Sequence, residues 1–284
     1  MDIDTLFEQR INMQTPEELK QIVKDKYTQI AEQTKKANAS SCCGATSSCC
    51  GDGMDYSIMA DDYTGQEGYV PEADLALGCG IPTEHAGIRP GMTVLDLGSG
   101  AGNDVFIAAR EVGPSGHVIG IDMTEQMIGK ANTNKAKLGM EIVEFRLGEI
   151  EQLPVDDNSI DVVISNCVLN LVPDKAAAFA EMYRVLRPGG SFTVSDIVVQ
   201  GDLPDHVRSV ASLYAGCVSG AEQREEYLAH IEQAGFTSVA IPKERPLDIP
   251  QEILDSELAD YPPEDRSLKG ANLASITVRA FKPR

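Results

Sequence analysis

Short apolar runs and amphipathic segments alternate along this 284-residue chain from about residue 71. The short apolar runs predict strands at 92–97, 117–121, 141–147, 160–165, 191–199, 237–243 and 273–281. Helical spacing of apolar residues predicts helices near 72–78, 102–112, 124–138, 174–186, 204–215 and 222–234. The first strands are apolar throughout, as expected when helices cover both faces of a sheet. The pattern therefore predicts an α/β fold, with a doubly wound, mostly parallel seven-stranded sheet and right-handed crossovers.

The N-terminal part has a different pattern. Residues 1–38 are predicted to be helical, with Thr15 as a helix cap and Pro16 at the first helical position. Residues 39–53 are rich in Ser, Gly and Cys and too poor in large apolar side chains to order themselves, so a mobile loop is expected. This divides the chain into a helical and Cys-rich arm (1–70), the α/β domain (71–243) and a C-terminal extension with the last strand (244–284).

Composition restricts the partners. The formal net charge is −20 and the pI is about 4.5. Both values argue against nucleic acid and against an anionic membrane surface, whereas a neutral or cationic small molecule is not repelled. The chain has no apolar run near the roughly 20 residues that span a bilayer, and its start does not resemble a signal peptide. The seven cysteines are therefore expected to lie in a reducing compartment, the cytoplasm.

A glycine-rich turn follows the first predicted strand of the sheet. Gly98, Gly100 and Gly102 stand between an apolar strand and a helix, where backbone N–H groups can approach a ligand closely. The spacing departs from the dinucleotide fingerprint G-x-G-x-x-G at its third glycine. Asp122 ends the next strand, 24 positions after Gly98, close to the spacing of an acid that binds ribose hydroxyls. The alternative for Asp122 is a helix cap.

A second candidate for cofactor contact follows the third predicted strand, in Gly148-Glu149-Ile150. A carboxylate there can accept a hydrogen bond from the exocyclic amine of adenine, and a neighbouring backbone N–H can donate to a ring nitrogen. The alternative for Glu149 is a solvated loop charge.

These motifs together resemble those of class I S-adenosylmethionine-dependent methyltransferases, over about residues 75–243. The matching pieces are Asp96-Leu97-Gly98-Ser99-Gly100-Ala101-Gly102, Asp122, Gly148-Glu149-Ile150 and Leu186-Arg187-Pro188-Gly189-Gly190. The resemblance implies S-adenosylmethionine as cofactor and a Rossmann-like fold. It further implies cofactor contacts from Gly98 and Gly100 at the methionine end, Asp122 at the ribose, and Glu149 and Ile150 at the adenine, with Asn166 beside the cofactor. Ser99 and Met123 are further cofactor-binding candidates.

Three cysteines stand apart from any other cysteine. Cys167 falls at the predicted carboxyl end of a strand, where open α/β sheets bind ligands. Cys217 lies 50 positions later, and Cys79 lies between two glycines. None belongs to the C-x(2–4)-C pairs typical of zinc sites. Isolated thiolates that converge on a cofactor suit a thiophilic centre such as trivalent arsenic, although a buried cysteine can also act as a small hydrophobe.

The combined pattern is similar to that of arsenite methyltransferases of the bacterial type. It matches in Gly78-Cys79-Gly80, in Ser165-Asn166-Cys167-Val168-Leu169-Asn170-Leu171, in Gly216-Cys217-Val218-Ser219-Gly220-Ala221 and in a Cys-containing N-terminal loop. The resemblance implies arsenic(III) bound by Cys167, Cys217 and Cys79, methylated products, and a role in detoxification.

The resemblance also implies a redox step. A disulfide between Cys79 and one N-terminal cysteine would reduce the oxidised product, with thioredoxin or glutathione as the thiol reductant. Cys50 is chosen because it is nearest to Cys79 in sequence, although Cys42, Cys43 and Cys49 compete for the role. Two alternative functions stay open at this point: methylation of a small organic acceptor, and non-catalytic binding of a metalloid by thiolates.

Overall fold

A seven-stranded sheet with helices on both faces forms the centre of the protein. The computed structural model describes residues 15–32, 61–208 and 220–284. The strands are β1 (Thr93–Leu97), β2 (His117–Asp122), β3 (Val143–Leu147), β4 (Ile160–Asn166), β5 (Leu186–Gln200), β6 (Thr237–Leu247) and β7 (Asn272–Phe281). The helices of the described residues are α1 (Pro16–Glu32), α2 (Thr83–Ala86), α3 (Asn103–Val112), α4 (Glu125–Leu138), α5 (Lys175–Val185), α6 (Asp205–Arg208), α7 (Arg224–Gln233) and α8 (Gln251–Glu257).

The strand order is β3-β2-β1-β4-β5-β7-β6. The five strands β1–β5 are parallel, and β7 runs antiparallel between β5 and β6. The predicted doubly wound, mostly parallel sheet is therefore confirmed. Leu97 of β1 pairs with Ile121 of β2 and Ser165 of β4, so the carboxyl ends of these three strands meet at one edge.

Alternate residues of the central strands enter two separate apolar layers. Val94 of β1 packs in the layer that contains buried residues of α1, α3 and α4. Its neighbour Leu95 packs in the opposite layer, with residues of α5 and α7. Both side chains are fully buried, which explains why β1 reads as a continuous apolar run.

The predicted helix at 72–78 is wrong. The Asp74 side chain accepts a hydrogen bond from the backbone N–H of Ala76 (2.9 Å), and Ala76 has a φ of +58°. A side chain that closes its own turn competes with helical hydrogen bonds, and a left-handed residue cannot continue a right-handed helix. The helix that follows is instead the short α2.

Other elements differ from the prediction in extent. β5 begins at Leu186 rather than 191, and β6 continues to Leu247. Of the helix predicted at 204–215, residues 205–208 are helical and 209–219 lie outside the described residues. In the part of the chain that the structure describes, no helix has the length and apolar character needed to cross a membrane.

The packing of Leu95 yields a stability prediction. Replacing it with alanine leaves a cavity in the centre of one layer, so Leu95→Ala should lower the free energy of unfolding by about 2–5 kcal/mol. Leu138, at the end of α4, is 39% exposed, and Leu138→Ala should cost less than about 0.5 kcal/mol. Urea unfolding followed by circular dichroism measures both, and equal losses would contradict the assignment of Leu95 to the core.

Candidate cofactor and thiol site

The glycine-rich turn after β1 has the backbone that its sequence predicts. Gly98, Gly100 and Gly102 have φ values of +67°, +51° and +98°. A Cβ atom at Gly98 would lie 2.5 Å from a methyl group of Val168, so a larger residue does not fit there. A Cβ at Gly100 would meet no atom within 4 Å, because this residue borders a cleft.

The cleft lies at the carboxyl edge of the sheet, where open α/β sheets bind their ligands. The predicted site residues that line it are Gly98, Ser99, Gly100, Asp122, Met123, Glu149, Ile150, Asn166 and Cys167. The structure therefore brings these nine residues together. Cys79 directly follows Gly78, which also lines the cleft, whereas Cys50 and Cys217 lie outside the described residues.

Asp122 connects the glycine-rich turn to the end of β2. One carboxylate oxygen accepts a hydrogen bond from the N–H of Gly100 (3.0 Å), and the other accepts one from the N–H of Thr124 (2.8 Å). Burial raises the pKa of Asp122, and these hydrogen bonds partly offset that effect. The N-cap residue of α4 is Thr124 and not Asp122. Asp122 instead stabilises the glycine-rich turn, and its carboxylate borders the cleft.

Two polar atoms of the cleft lining have no hydrogen-bond partner among the described residues. They are the Ser99 hydroxyl and the Asn103 side-chain oxygen, and both are buried. Buried polar atoms in proteins are nearly always paired. A ligand with several hydrogen-bonding groups, such as S-adenosylmethionine, fits this lining.

A group of acidic residues lies beside the turn, and sequence reasoning assigned a role only to Asp122 among them. Asp74, Asp96, Asp104 and Asp122 all line the cleft. Burial raises the pKa of Asp96 well above its usual value, and the charges of Asp104 and Asp122 raise it further. Burial also raises the pKa of Asp104 to about 6, although hydrogen bonds from Tyr63 and Asn166 act in the opposite direction. A cation relieves this mutual repulsion, which fits a ligand bearing sulfonium and ammonium groups.

Helix α1 covers part of the cleft through Lys20 and Tyr27. The Lys20 ammonium lies 2.7 Å from a carboxylate oxygen of Glu149 and 3.1 Å from one of Glu151. An ion pair with Lys20 thus links Glu149 to α1 at the cleft. Sequence analysis predicted a helix here and missed the position of Tyr27 at the cleft.

Asn166, the last residue of β4, holds the loop that carries Cys79. Its side-chain oxygen accepts a hydrogen bond from the N–H of Cys79 (3.0 Å), and its amide nitrogen donates to the carbonyl of Gly80 (2.8 Å). A Cβ at Gly78 would lie 2.5 Å from that nitrogen, and one at Gly80 would lie 2.5 Å from the hydroxyl of Ser195. Both glycines are therefore required by close approach. Asn166 lines the cleft as expected and also fixes this loop.

Cys167 follows Asn166 directly. Its N–H donates to the carbonyl of Ser195 (2.7 Å), and its φ of +59° is unusual for a residue other than glycine. Cys167 is 3% exposed and Cys79 is 1% exposed. Both thiols are therefore shielded from bulk water, and Cys167 lines the cleft.

A third residue near the thiols, Asp196 of β5, was also missed. A carboxylate oxygen of Asp196 and the Sγ atoms of Cys79 and Cys167 all lie within 4.8 Å of one another. Burial raises the pKa of Asp196 to about 7, against hydrogen bonds that lower it. The available signal was a lone acid in the otherwise apolar or weakly polar run 191–199.

Comparison with known proteins gives matches over the domain and over most of the chain. A methyltransferase-domain family model matches residues 88–235, just over half of the chain. The arsenite methyltransferase of Halobacterium salinarum is 44% identical, and the match covers 94% of this chain and 68% of that protein. The arsenite methyltransferase of Aquipseudomonas alcaligenes is 36% identical over 72% of this chain, which spans 58% of the length of that relative.

A solved structure agrees with these relatives. The arsenic(III) S-adenosylmethionine methyltransferase of Chlamydomonas reinhardtii is 38% identical, with a TM-score of 0.62 over 72% of this chain and 68% of that one. With the glycine-rich turn, the acidic cleft and the neighbouring thiols, these matches show that the chain belongs to the arsenite methyltransferase family.

Proposed function

We propose that this protein transfers a methyl group from S-adenosylmethionine to trivalent arsenic held by Cys167, Cys79 and Cys217, and that the methylated arsenicals serve detoxification. The observation that carries the proposal is the approach of the Cys79 thiol to the thiol of Cys167, which lines the cleft together with the glycine-rich turn. Cys217 is included from the family resemblance.

When bound, S-adenosylmethionine supplies the methyl group, and the arsenic lone pair takes it while sulfur keeps the electrons of the broken bond. The residues of the chain orient and shield this reaction. The turn at Gly98–Gly100 allows close approach, and the carboxylates of Asp96, Asp104 and Asp122 favour a cationic ligand. Holding the reactants in fixed orientation accounts for up to about 7–11 kcal/mol in model reactions.

The thiols bind the substrate by exchange. Arsenite or its thiol conjugate transfers arsenic to the cysteines, and each exchange passes a proton to the departing hydroxide or thiolate. Arsenite is neutral at pH 7, so the net charge of −20 does not repel it. Arsenic loses no proton on methylation, so no general base is required. The burial of Cys79 and Cys167 keeps water away from the reacting lone pair.

A redox step completes the proposal. Methylation formally oxidises arsenic from +3 to +5, and two thiols return it to +3 by giving up two electrons and forming one disulfide. We assign this disulfide to Cys79 and Cys50, with thioredoxin or glutathione reducing it afterwards. A reducing compartment such as the cytoplasm suits both the seven cysteines and this reductant.

A mass-resolved assay tests the reaction. It combines the purified protein, methyl-labelled S-adenosylmethionine, a dithiol reductant and arsenite. Labelled methylarsenicals support the proposal. Cofactor binding without any arsenical product would contradict it and favour an organic acceptor, whereas arsenic binding without cofactor binding would favour a non-catalytic binder.

Cys167→Ser should abolish arsenite turnover and leave S-adenosylmethionine affinity intact, because the hydroxyl keeps the volume of the thiol but is a poor ligand for a thiophilic centre. Arsenite turnover should fall by more than the roughly 10–100-fold decrease that is typical when a residue hydrogen-bonded to a metal ligand is removed. Calorimetric titration with the cofactor is the control for the site, and Cys217→Ser should behave alike. Full turnover in either variant would contradict the role of that thiol.

Asn166→Ala should lower kcat about 10–100-fold, because it removes the hydrogen bonds that hold the Cys79 loop. Gly78→Ala should act in the same direction without removing Asn166, since its new Cβ pushes against the Asn166 amide. Alkylation of Cys79, followed by mass spectrometry, should become faster in both variants. The exposed substitution Asn132→Ala serves as the control. An unchanged alkylation rate in both variants would show that Asn166 does not position this thiol.

S-adenosylmethionine affinity should rise with pH through the region near 6. The pKa of Asp104 is about 6, so its carboxylate is charged above that pH and neutral below it, and the charged form attracts the cation. Asp104→Asn should weaken binding at about pH 7.5 roughly tenfold, which is about 1.4 kcal/mol, and flatten the profile. Calorimetry between about pH 5 and 8 measures this. Asp122→Asn, which removes another carboxylate of the cleft, is the matched comparison. If the affinity of Asp104→Asn rises with pH as steeply as that of the parent protein, the pH dependence does not come from Asp104.

A further inference from the structure

Asp196 lies in the middle of β5, is fully buried, and faces the same point as the two thiols. Within the described residues, one carboxylate oxygen of Asp196 and the sulfur atoms of Cys79 and Cys167 form a group with all separations below 4.8 Å. The three ligand atoms come from three different parts of the chain: the 78–80 loop, the residue after β4, and β5. Local sequence contacts therefore do not explain the cluster.

The backbones of the two cysteines are fixed before any ligand binds. The N–H of Cys79 donates to Asn166 (3.0 Å), and its carbonyl accepts from the hydroxyl of Ser275 (2.6 Å). The N–H of Cys167 donates to the carbonyl of Ser195 (2.7 Å). Ligands that are held in place lose little conformational entropy on binding.

The carboxylate of Asp196 is also oriented by its surroundings. One oxygen accepts from the N–H of Ile197 (3.0 Å), and the other accepts from the hydroxyl of Tyr227 (3.3 Å). Outer hydrogen bonds of this kind fix the direction of a ligating carboxylate. Tyr227 is fully buried, so this contact is shielded from competing water.

A cation that binds here displaces protons from these buried groups, because thiols and a carboxyl group ligate a metal in their deprotonated forms. Two sulfur ligands select a soft or borderline metal, and one oxygen ligand is compatible with zinc or cadmium. Tetrahedral zinc ligands lie about 3.3–3.8 Å apart, as follows from zinc–ligand distances of about 2.0–2.3 Å. A bound cation would have to draw the three ligand atoms from separations below 4.8 Å to these distances. Cys167 borders the cleft, from which a fourth ligand can enter.

We propose that Cys79, Cys167 and Asp196 form a three-ligand site for a thiophilic divalent cation of the zinc and cadmium class, with its fourth coordination position toward the cleft. Because the same thiols hold arsenic in the proposed function, cation and trivalent arsenic exclude each other. This exclusion rests on the proposed function, whereas cation binding itself does not.

The test uses Cd²⁺ as the probe and the full chain with Cys42, Cys43, Cys49, Cys50 and Cys217 changed to serine, so that only Cys79 and Cys167 supply sulfur. Titration is followed by calorimetry and by the ultraviolet thiolate-to-cadmium charge-transfer band, without arsenite or S-adenosylmethionine. The expected result is one Cd²⁺ per chain with two thiolate ligands. Absence of binding in the folded protein would overturn the proposal.

Asp196→Asn in the same background should lower Cd²⁺ affinity by at least about tenfold, whereas the exposed substitution Asp248→Asn should leave it unchanged. Tyr227→Phe removes only the outer hydrogen bond to the carboxylate, and it should lower affinity about tenfold. This second variant decides the matter if Asp196→Asn does not fold. If each variant of this pair that folds binds Cd²⁺ as tightly as the parent protein, the role of Asp196 is overturned.

Arsenite is then added to a Cd²⁺-loaded protein in which Cys217 is kept and only Cys42, Cys43, Cys49 and Cys50 are serine, because the proposed arsenic site includes Cys217. Loss of the charge-transfer band and release of one Cd²⁺ support mutual exclusion. Retention of Cd²⁺ under excess arsenite would overturn mutual exclusion and contradict the arsenic assignment of Cys79 and Cys167, while leaving the cation site itself supported.

Discussion

The site depends on the hydrogen bonds between the Asn166 side chain and the 78–80 loop. Asn166 is the last residue of β4. Its side-chain oxygen accepts a hydrogen bond from Cys79 and its side-chain nitrogen donates one to Gly80, and both partners lie almost ninety residues earlier in the chain. Because Cys167 is the next residue, the same strand end determines the positions of both thiols. The glycines on either side of Cys79 allow the backbone to approach Asn166 and Ser195 closely.

Electrostatics gives the cleft a clear polarity. Four aspartates around the glycine-rich turn create a region in which a positively charged ligand lowers the free energy and a negatively charged one raises it. In the proposed function the thiols face a different requirement, since arsenite is neutral before it binds. The cleft would then combine an anionic end for the sulfonium cofactor with buried thiols for a thiophilic acceptor.

Much of this arrangement was predictable from local pattern. The parallel strands read as apolar runs because helices cover both faces, and the turn at Gly98–Gly102 read correctly because its left-handed backbone favours glycine. The helix predicted at 72–78 failed because Asp74 closes its own turn. Asp104 and Asp196 were missed because a single acid in a helix or strand carries no periodic signal.

The sequence by itself determined the sheet, the glycine-rich turn and the isolated cysteines, because strand period, turn chemistry and residue type are local properties. Only the tertiary structure decided that Cys79, Cys167 and Asp196 meet, that Asn166 serves the Cys79 loop, and that Lys20 of α1 reaches Glu149. These contacts join residues up to 129 positions apart. They depend on which strands are neighbours and on how the chain crosses the sheet edge, and spacing along the chain does not encode either.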